Sequence, residues 1–186
     1  MKLKGKLACI ITALMISSFG QALVAAPKIT DVSAIYVDVG ISDKYHDDVQ
    51  FVCEKGLMEG TGKSCFSPNK TITRASLAQI IWNSEDEPVS TIELDFEDTD
   101  TDKWYSNAVA WVVEEKLFRG DANDCFRPDD KVTKKELTEV LTNYYKTFYS
   151  KDRNEVKKLE DVISKTVKGK YPTRAEFATI VHKVYR

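Results

Sequence analysis

Residues 36 to 81 of this chain reappear sixty positions later, and this limits the possible folds more than any other feature. Tyr36-Val37-Asp38-Val39 aligns with Phe96-Glu97-Asp98-Thr99, Tyr45 with Tyr105, Val49 with Val109, and Phe51 with Trp111. Leu57 aligns with Leu117, Gly60 with Gly120, Cys65-Phe66 with Cys125-Phe126, and Pro68 with Pro128, all without a gap. A period of this length marks one supersecondary unit that has been duplicated and that buries its apolar face against its neighbours. Each copy ends in a Thr-basic-x-x helix start: Thr73-Arg74-Ala75-Ser76, Thr133-Lys134-Lys135-Glu136 and, after only forty further residues, Thr173-Arg174-Ala175-Glu176.

Hydrophobic spacing makes the unit helical. Val49, Val52, Cys53 and Leu57 in copy one, and Val109, Val112, Val113 and Leu117 in copy two, recur at intervals of three and four. They therefore share one helix face. Gly60 and Gly120 follow the last apolar residue, where a left-handed C-terminal cap is expected. A turn-rich loop leads to the second helix, whose apolar positions agree across three copies: Leu77, Leu137 and Phe177; Ile80, Val140 and Ile180; Ile81, Leu141 and Val181. The predicted fold is all-α, a repeat of helix-loop-helix modules.

The Thr and Glu of the helix start have a structural reason. Thr73, Thr133 and Thr173 are good N-caps, and Glu136 and Glu176, three residues on, can return a hydrogen bond to the cap amide, a capping box worth about 1 kcal/mol. Copy one has Ser76 there and lacks the carboxylate. The basic residue has no such reason, because a cation at the first helical position opposes the helix dipole. Arg74, Lys134 and Arg174 are therefore read as residues kept for a partner, with an exposed solubilising charge as the alternative.

Copy three is short. Leu159-Glu160-Asp161-Val162 resembles the aromatic-x-Asp start, and only ten residues separate Val162 from Thr173, against 33 between Thr99 and Thr133. On this spacing the third copy lacks its first helix and glycine stop, and Ser150 to Lys158 reads as a charged linker. The array divides into residues 1–26, a leader; 35–84 and 93–149, two modules; and 153–186, a truncated third.

The leader carries Lys2, Lys4 and Lys6, an apolar run from Leu7 to Phe19, and the small-residue stretch Ala22 to Ala26, the order of a secretory signal peptide. Cleavage at Ala26, one residue earlier, or near Ala34 is compatible with the sequence; the alternative is an uncleaved anchor, for which the run is short. No later segment is apolar enough to cross a membrane. Removing three lysines takes the formal charge from -2 to -5, unevenly spread. From Glu93 to Tyr149, 14 acids and 8 bases give -6; from Ser150 to Arg186, 5 acids and 10 bases give +5. An exported chain of this overall acidity is not a nucleic-acid binder, while the basic tail suits an anionic polymer or an acidic neighbour.

Three cysteines remain beyond the leader: Cys53, Cys65 and Cys125. Cys53 and Cys65 are the nearer pair for a disulfide, and buried free thiols are an equal alternative. An odd count leaves at least one thiol unpaired or reserved for another chain.

Taken together these residues resemble the S-layer homology module. The resemblance rests on Tyr36-Val37-Asp38-Val39, Gly56 to Gly60, Phe66-Ser67-Pro68 and Ile72-Thr73-Arg74-Ala75-Ser76 in copy one. In copy two it rests on Phe96-Glu97-Asp98-Thr99, Trp104, Phe126-Arg127-Pro128 and Val132-Thr133-Lys134-Lys135-Glu136. It implies a pseudo-threefold helical bundle with an incomplete third module, and a non-catalytic role without cofactor or metal. It further implies an exported protein at the cell wall or envelope surface that binds secondary cell-wall polysaccharide or modified peptidoglycan, itself or with other S-layer or envelope proteins. The polymer-binding residues it implies are Thr73, Arg74, Trp104, Lys134, Thr173, Arg174 and Glu176. Copy two has Lys134 for the family's arginine, and copy one has Lys44 where copy two has Trp104.

Two other function classes are weighed. The alternative is a calcium-dependent or protein-protein adaptor of the envelope that has lost wall binding; calcium is suggested by Asp95, Asp98, Asp100 and Asp102 and by Asp121 to Asp124, but neither run has the glycine and terminal acid of a helix-loop-helix calcium site. An enzyme is disfavoured because no phosphate loop, zinc spacing or serine-histidine arrangement occurs.

Overall fold

The computed structural model describes residues 31–185, so the leader assigned to residues 1–26 lies outside the described residues. After a 3-10 turn at Val32–Ala34 come six helices: α1 (His46–Glu54), α2 (Arg74–Ser84), α3 (Ser106–Glu114), α4 (Lys134–Phe148), α5 (Arg153–Thr166) and α6 (Arg174–Tyr185). Among the described residues there is no strand; the extended segments make only isolated bridges. The all-α repeat is as the periodicity predicts.

The third copy differs from its predicted form. Spacing denies it a first helix, yet Arg153–Thr166 is α5, capped by Asp152, whose carboxylate accepts from the amides of Asn154 and Glu155. Val156, Leu159 and Ile163 of α5 are buried at intervals of three and four. The predicted linker and the predicted aromatic-x-Asp start are thus one amphipathic helix, whose high charge masks its apolar spacing. What the third module lacks is the long loop: seven residues, 167–173, join α5 to α6.

Packing passes from each module to the next. Helix α3 packs on α2, α5 on α4, and α1 on α6, so the first helix of every module lies against the second helix of the module before it, and the last pair closes the ring. At the centre, the Ile72 amide donates to Pro172 O (3.1 Å) and the Val132 amide to Ile72 O (2.9 Å). The third edge of this triangle has no such bond because Pro172 has no N–H. Ile72, Val132, Leu77, Leu137 and Phe177 form the buried core around it.

The repeated aspartate and glycine have local causes. Asp38 accepts from the amides of Phe66 (2.7 Å) and Ser67 (2.8 Å), and Asp98 from those of Phe126 (2.7 Å) and Arg127 (2.6 Å). Each carboxylate thereby pins a loop in which Phe66 or Phe126 is fully buried. Gly60 and Gly120 are not the left-handed caps that their position suggests. A β-carbon at Gly60 would lie 2.6 Å from Tyr36 Cε1, and one at Gly120 2.4 Å from Phe96 Cε1, so these glycines admit the aromatic of the aromatic-x-Asp start.

The left-handed cap sits four residues earlier. Gly56 has φ 66°, with the Gly56 amide donating to Cys53 O (3.0 Å) and the Leu57 amide to Val52 O (2.9 Å), a Schellman arrangement. Copy two repeats it with Lys116 at φ 59°. A β-carbon in that region costs about 1 kcal/mol, so Lys116→Gly should raise stability by about 1 kcal/mol. Urea denaturation of the variant beside the wild-type chain checks this.

The amino end is tied to α1 by His46, whose Nδ1 lies 3.1 Å from Asp47 and Nε2 3.0 Å from Asp31. Hydrogen bonds to Asp47, then Asp31, raise the imidazole above its ordinary 6.5. Asp31 is lowered to about 2 by the Ser33 hydroxyl and then by His46. The raised histidine therefore contributes stability that is complete below pH 6.5 and disappears as pH rises through its folded value, whereas the Asp31 contribution is present above pH 3.8 and is lost as pH falls toward 2. NMR titration should place the His46 midpoint above 6.5, and Asp31→Asn should lower it.

Candidate functional site

Periodicity and capping leave the basic residue of each helix start without a structural reason; the fold supplies one. The amides of Arg74 and Ala75 donate to Asp130 O (3.0 Å) and Pro128 O (2.9 Å) in the loop of module two. Those of Arg174 and Ala175 donate to Lys70 O and Pro68 O in the loop of module one, both at 2.9 Å. The free amides of each helix N-terminus are thus satisfied by the neighbouring module. Carbonyl oxygens converge at that helix end, and they offset the dipole that would otherwise disfavour a cation there.

The side chains use the same loops. Arg74 donates from Nε to Phe126 O (2.6 Å), from Nη2 to Arg119 O (2.7 Å) and from Nη1 to the Glu136 carboxylate. Its guanidinium lies 4.7 Å from the ring centre of Phe126 and 4.9 Å from that of Phe118. Arg174 repeats this pose, with Nε on Phe66 O (2.8 Å), Nη2 on Glu59 O and the Phe66 ring at 4.5 Å. Burial pushes both guanidinium groups below the ordinary arginine value, and for Arg74 the Glu136 carboxylate opposes that shift.

Lys134 reaches a different target. Its ammonium donates to Ser164 O (3.0 Å) and Val167 O (2.7 Å), capping the C-terminus of α5, where a cation is favoured by the dipole. With no long loop in module three there is no pair of loop carbonyls for a planar fork, so the lysine at this position matches its short partner segment.

The caps form as their sequence predicts, with one exception. Thr73, Thr133 and Thr173 each accept from the amide three residues on. Glu176 completes the box by accepting from the Thr173 amide (2.9 Å), whereas Glu136 turns to Arg74 instead. Six of the implied site residues fall at three separate junctions: Thr173, Arg174 and Glu176 where module three meets module one, Thr73 and Arg74 where module one meets module two, and Lys134 where module two meets module three; Trp104 stands just before α3. Trp104 is 64% exposed with its ring edge-on to Tyr105.

Where α6 meets α1 these surfaces line an open groove of about 500 Å³. Thr173 and Glu176 line it, together with Lys44, Tyr45, Asp48, Asn69, Lys165, Thr166, Lys168, Thr179 and Lys183. Sequence reasoning reached only two of these residues. For Lys165, Lys168 and Lys183 the signal was the +5 charge of residues 150–186; Lys44, Tyr45, Asp48 and Asn69 come from module one and carried no such signal. A second groove, about 490 Å³, lies between α4 and α5 and holds none of the implied site residues.

Cys53, Cys65 and Cys125 are free thiols. The Cys53–Cys65 disulfide is not formed. Cys53 is buried in α1 with Sγ 4.0 Å from the Tyr36 hydroxyl, while Cys65 turns its thiol toward Lys63 O (3.5 Å) in its own loop. Burial pushes the Cys53 thiol up, which suits a packing residue rather than a nucleophile. The acidic runs are engaged locally: Asp121 accepts from the amides of Asn123 and Cys125, and Asp100 lies 3.5 Å from Lys103. Among the described residues no group of three or more His, Cys, Asp or Glu is placed to hold a metal ion.

Because Arg174 holds the closing contact of the ring, Arg174→Ala should lower stability by about 3 kcal/mol through the loss of two charge-assisted bonds and the stranding of their carbonyls. Arg174→Lys should recover only part, since a single ammonium lacks the fork that meets both oxygens. Urea denaturation of the two variants provides the comparison.

Residues 35–78 and 95–138 match the S-layer homology domain family. The chain is 28% identical over 134 residues to the Surface-layer 125 kDa protein of Lysinibacillus sphaericus, covering 72% of this chain and 11% of that protein. It is 26% identical over 153 residues to an S-layer protein of Bacillus licheniformis (82% and 17%) and 28% identical over 106 residues to an amylopullulanase of Thermoanaerobacterium thermosulfurigenes (56% and 6%). The chain thus spans less than a fifth of the length of these relatives. Both copies of the repeat, read first from a sixty-residue offset and then from shared geometry, are matched, and the chain is an S-layer homology domain protein with two such modules, secreted and held at the cell wall or envelope surface.

Proposed function

We propose that this protein is a non-catalytic anchor that binds a cell-wall polymer, either secondary wall polysaccharide or modified peptidoglycan, in the grooves between its modules. The observation that carries this reading is the α6/α1 groove, an open, lysine-rich groove of about 500 Å³ formed where the third module closes onto the first. Its volume falls in the range of ligand sites. Thr173 and Glu176 form the wall of this groove at the helix start, and Trp104, exposed at the repeat position of Lys44, offers an indole face to a sugar ring. Arg74, Arg174 and Lys134 serve the site as positioning residues that hold adjacent modules in register.

Further support comes from the relatives. Related segments occur in proteins named as surface-layer proteins and in one named as an amylopullulanase, where they make up at most 17% of the length. One segment type beside such different remaining chains suits an attachment module better than a reacting one. The acids of the groove are also ill suited to catalysis: Asp48 bonds Thr179 and His182, and Glu176 bonds the main chain. The protein holds itself, or an envelope partner, at the surface.

Pull-down with purified sacculi tests this. Native walls should retain the protein, and chemical stripping of the secondary polymer should abolish retention. Equal retention by stripped walls would transfer the assignment to peptidoglycan, and failure to bind either preparation would end the wall-binding reading.

A further inference from the structure

The α6/α1 groove is unlike the other junctions in its charge. Four ammonium groups line it, those of Lys44, Lys165, Lys168 and Lys183, against two carboxylates, Asp48 and Glu176. Both carboxylates are turned toward their own protein. Asp48 accepts from the Thr179 hydroxyl and faces His182 Nδ1 at 2.8 Å; Glu176 accepts from the amides of Thr173 (2.9 Å) and Lys168 (3.0 Å). Among the described residues none of the four lysines has a carboxylate within ion-pair distance. Lys168 is held by a bond from Nζ to Lys165 O (2.6 Å), and the Thr166 hydroxyl between them is buried without a partner.

The charge is specific to this junction. At the repeat positions of Lys183 stand Asn83 and Asn143, and at that of Lys44 stands Trp104. Lys165 and Lys168 flank the start of the short connection that replaces the long loop of the other modules. The α4/α5 groove, by contrast, balances Lys135 and Lys146 with Glu139 and Glu160. Four like charges lining one groove repel within the screening length of about 8 Å at physiological salt. Set against Asp48 and Glu176, the four ammonium groups leave a net charge of +2, which a single ligand carboxylate would halve and two would neutralise.

We propose that this groove takes a stretch of polymer bearing two or more anionic groups in close succession, and that Lys165 and Lys168 select it. This rests on the reading of the groove as the wall-polymer site and names its ligand class. Recognition here is by multiple point charges, and neither a guanidinium fork nor an aromatic platform is needed, because Arg174 is engaged by main-chain carbonyls and lysine replaces the exposed tryptophan.

Calorimetric titration with three soluble probes tests the proposal without walls: trigalacturonate, tripolyphosphate and the neutral sugar chitotriose. At least one anionic probe should bind, with affinity falling by about 10-fold between low and physiological salt, and chitotriose should not. The double variant Lys165→Gln/Lys168→Gln should weaken binding about 10-fold, while Lys157→Gln, on α5 outside both grooves, leaves it unchanged; all these lysines are exposed, and matching thermal transitions verify the fold. The tighter anionic probe identifies carboxylate or phosphate as the group recognised. Equal binding of chitotriose, no binding of either anionic probe, or wild-type affinity in the double variant overturns the proposal. Probe binding without retention on sacculi would sink the anchoring function alone, and retention on sacculi without probe binding would sink this inference alone.

Discussion

The structure depends on one recurring contact, the docking of a second-helix N-terminus, cation included, onto carbonyl oxygens of the next module. Arg74 enters the loop of module two, Lys134 the end of α5, and Arg174 the loop of module one, so the contact runs round the ring and closes it. A helix N-terminus has free amides, and the loops and the α5 terminus have free carbonyls; each satisfies the other only when the modules are assembled. No module is complete alone. The helices of modules one and two pack on their neighbours and not on each other, which ties folding to closure.

That closure accounts for the parts of the repeat that periodicity leaves unexplained. Asp38 and Asp98 hold the Phe66 and Phe126 loops in the shape that presents carbonyls to the incoming arginine, and the buried phenyl rings form the floor beneath the guanidinium. Gly60 and Gly120 let Tyr36 and Phe96 come close behind those loops. Aromatic, aspartate, glycine, phenylalanine and arginine, widely separated in the chain, thus serve one interface. The grooves are its by-product, since surfaces from two modules meet only where it has formed.

Legibility followed the range of the forces involved. Helices α1 to α4 and α6 were readable because burial of one face imposes spacings of three and four on nearby residues, and Thr73, Thr133 and Thr173 were readable as caps because a cap acts within one turn. Helix α5 has the same spacing in Val156, Leu159 and Ile163, but its heavy charge and the apparent aromatic-x-Asp start at Leu159 concealed it. The Schellman cap was misplaced by four residues because the glycine stop looked like a terminator, when its purpose is steric room for an aromatic ring from the preceding segment. Lys165, Lys168 and Lys183 were visible only as an excess of charge in the tail, and no local rule would bring them to Lys44.

By itself, the sequence determined the duplicated unit, its helical character, its buried face, its helix starts and its family. These rest on local spacing and on a repeat that can be laid over itself. Tertiary structure decided what the basic residues of those starts touch, that the third module has a first helix in place, and which junction gathers the positive charge. The reason is physical: a carbonyl cage for arginine and a lysine-lined groove are each assembled from segments that lie up to more than a hundred residues apart, and only the closed ring brings them within hydrogen-bonding or screening distance.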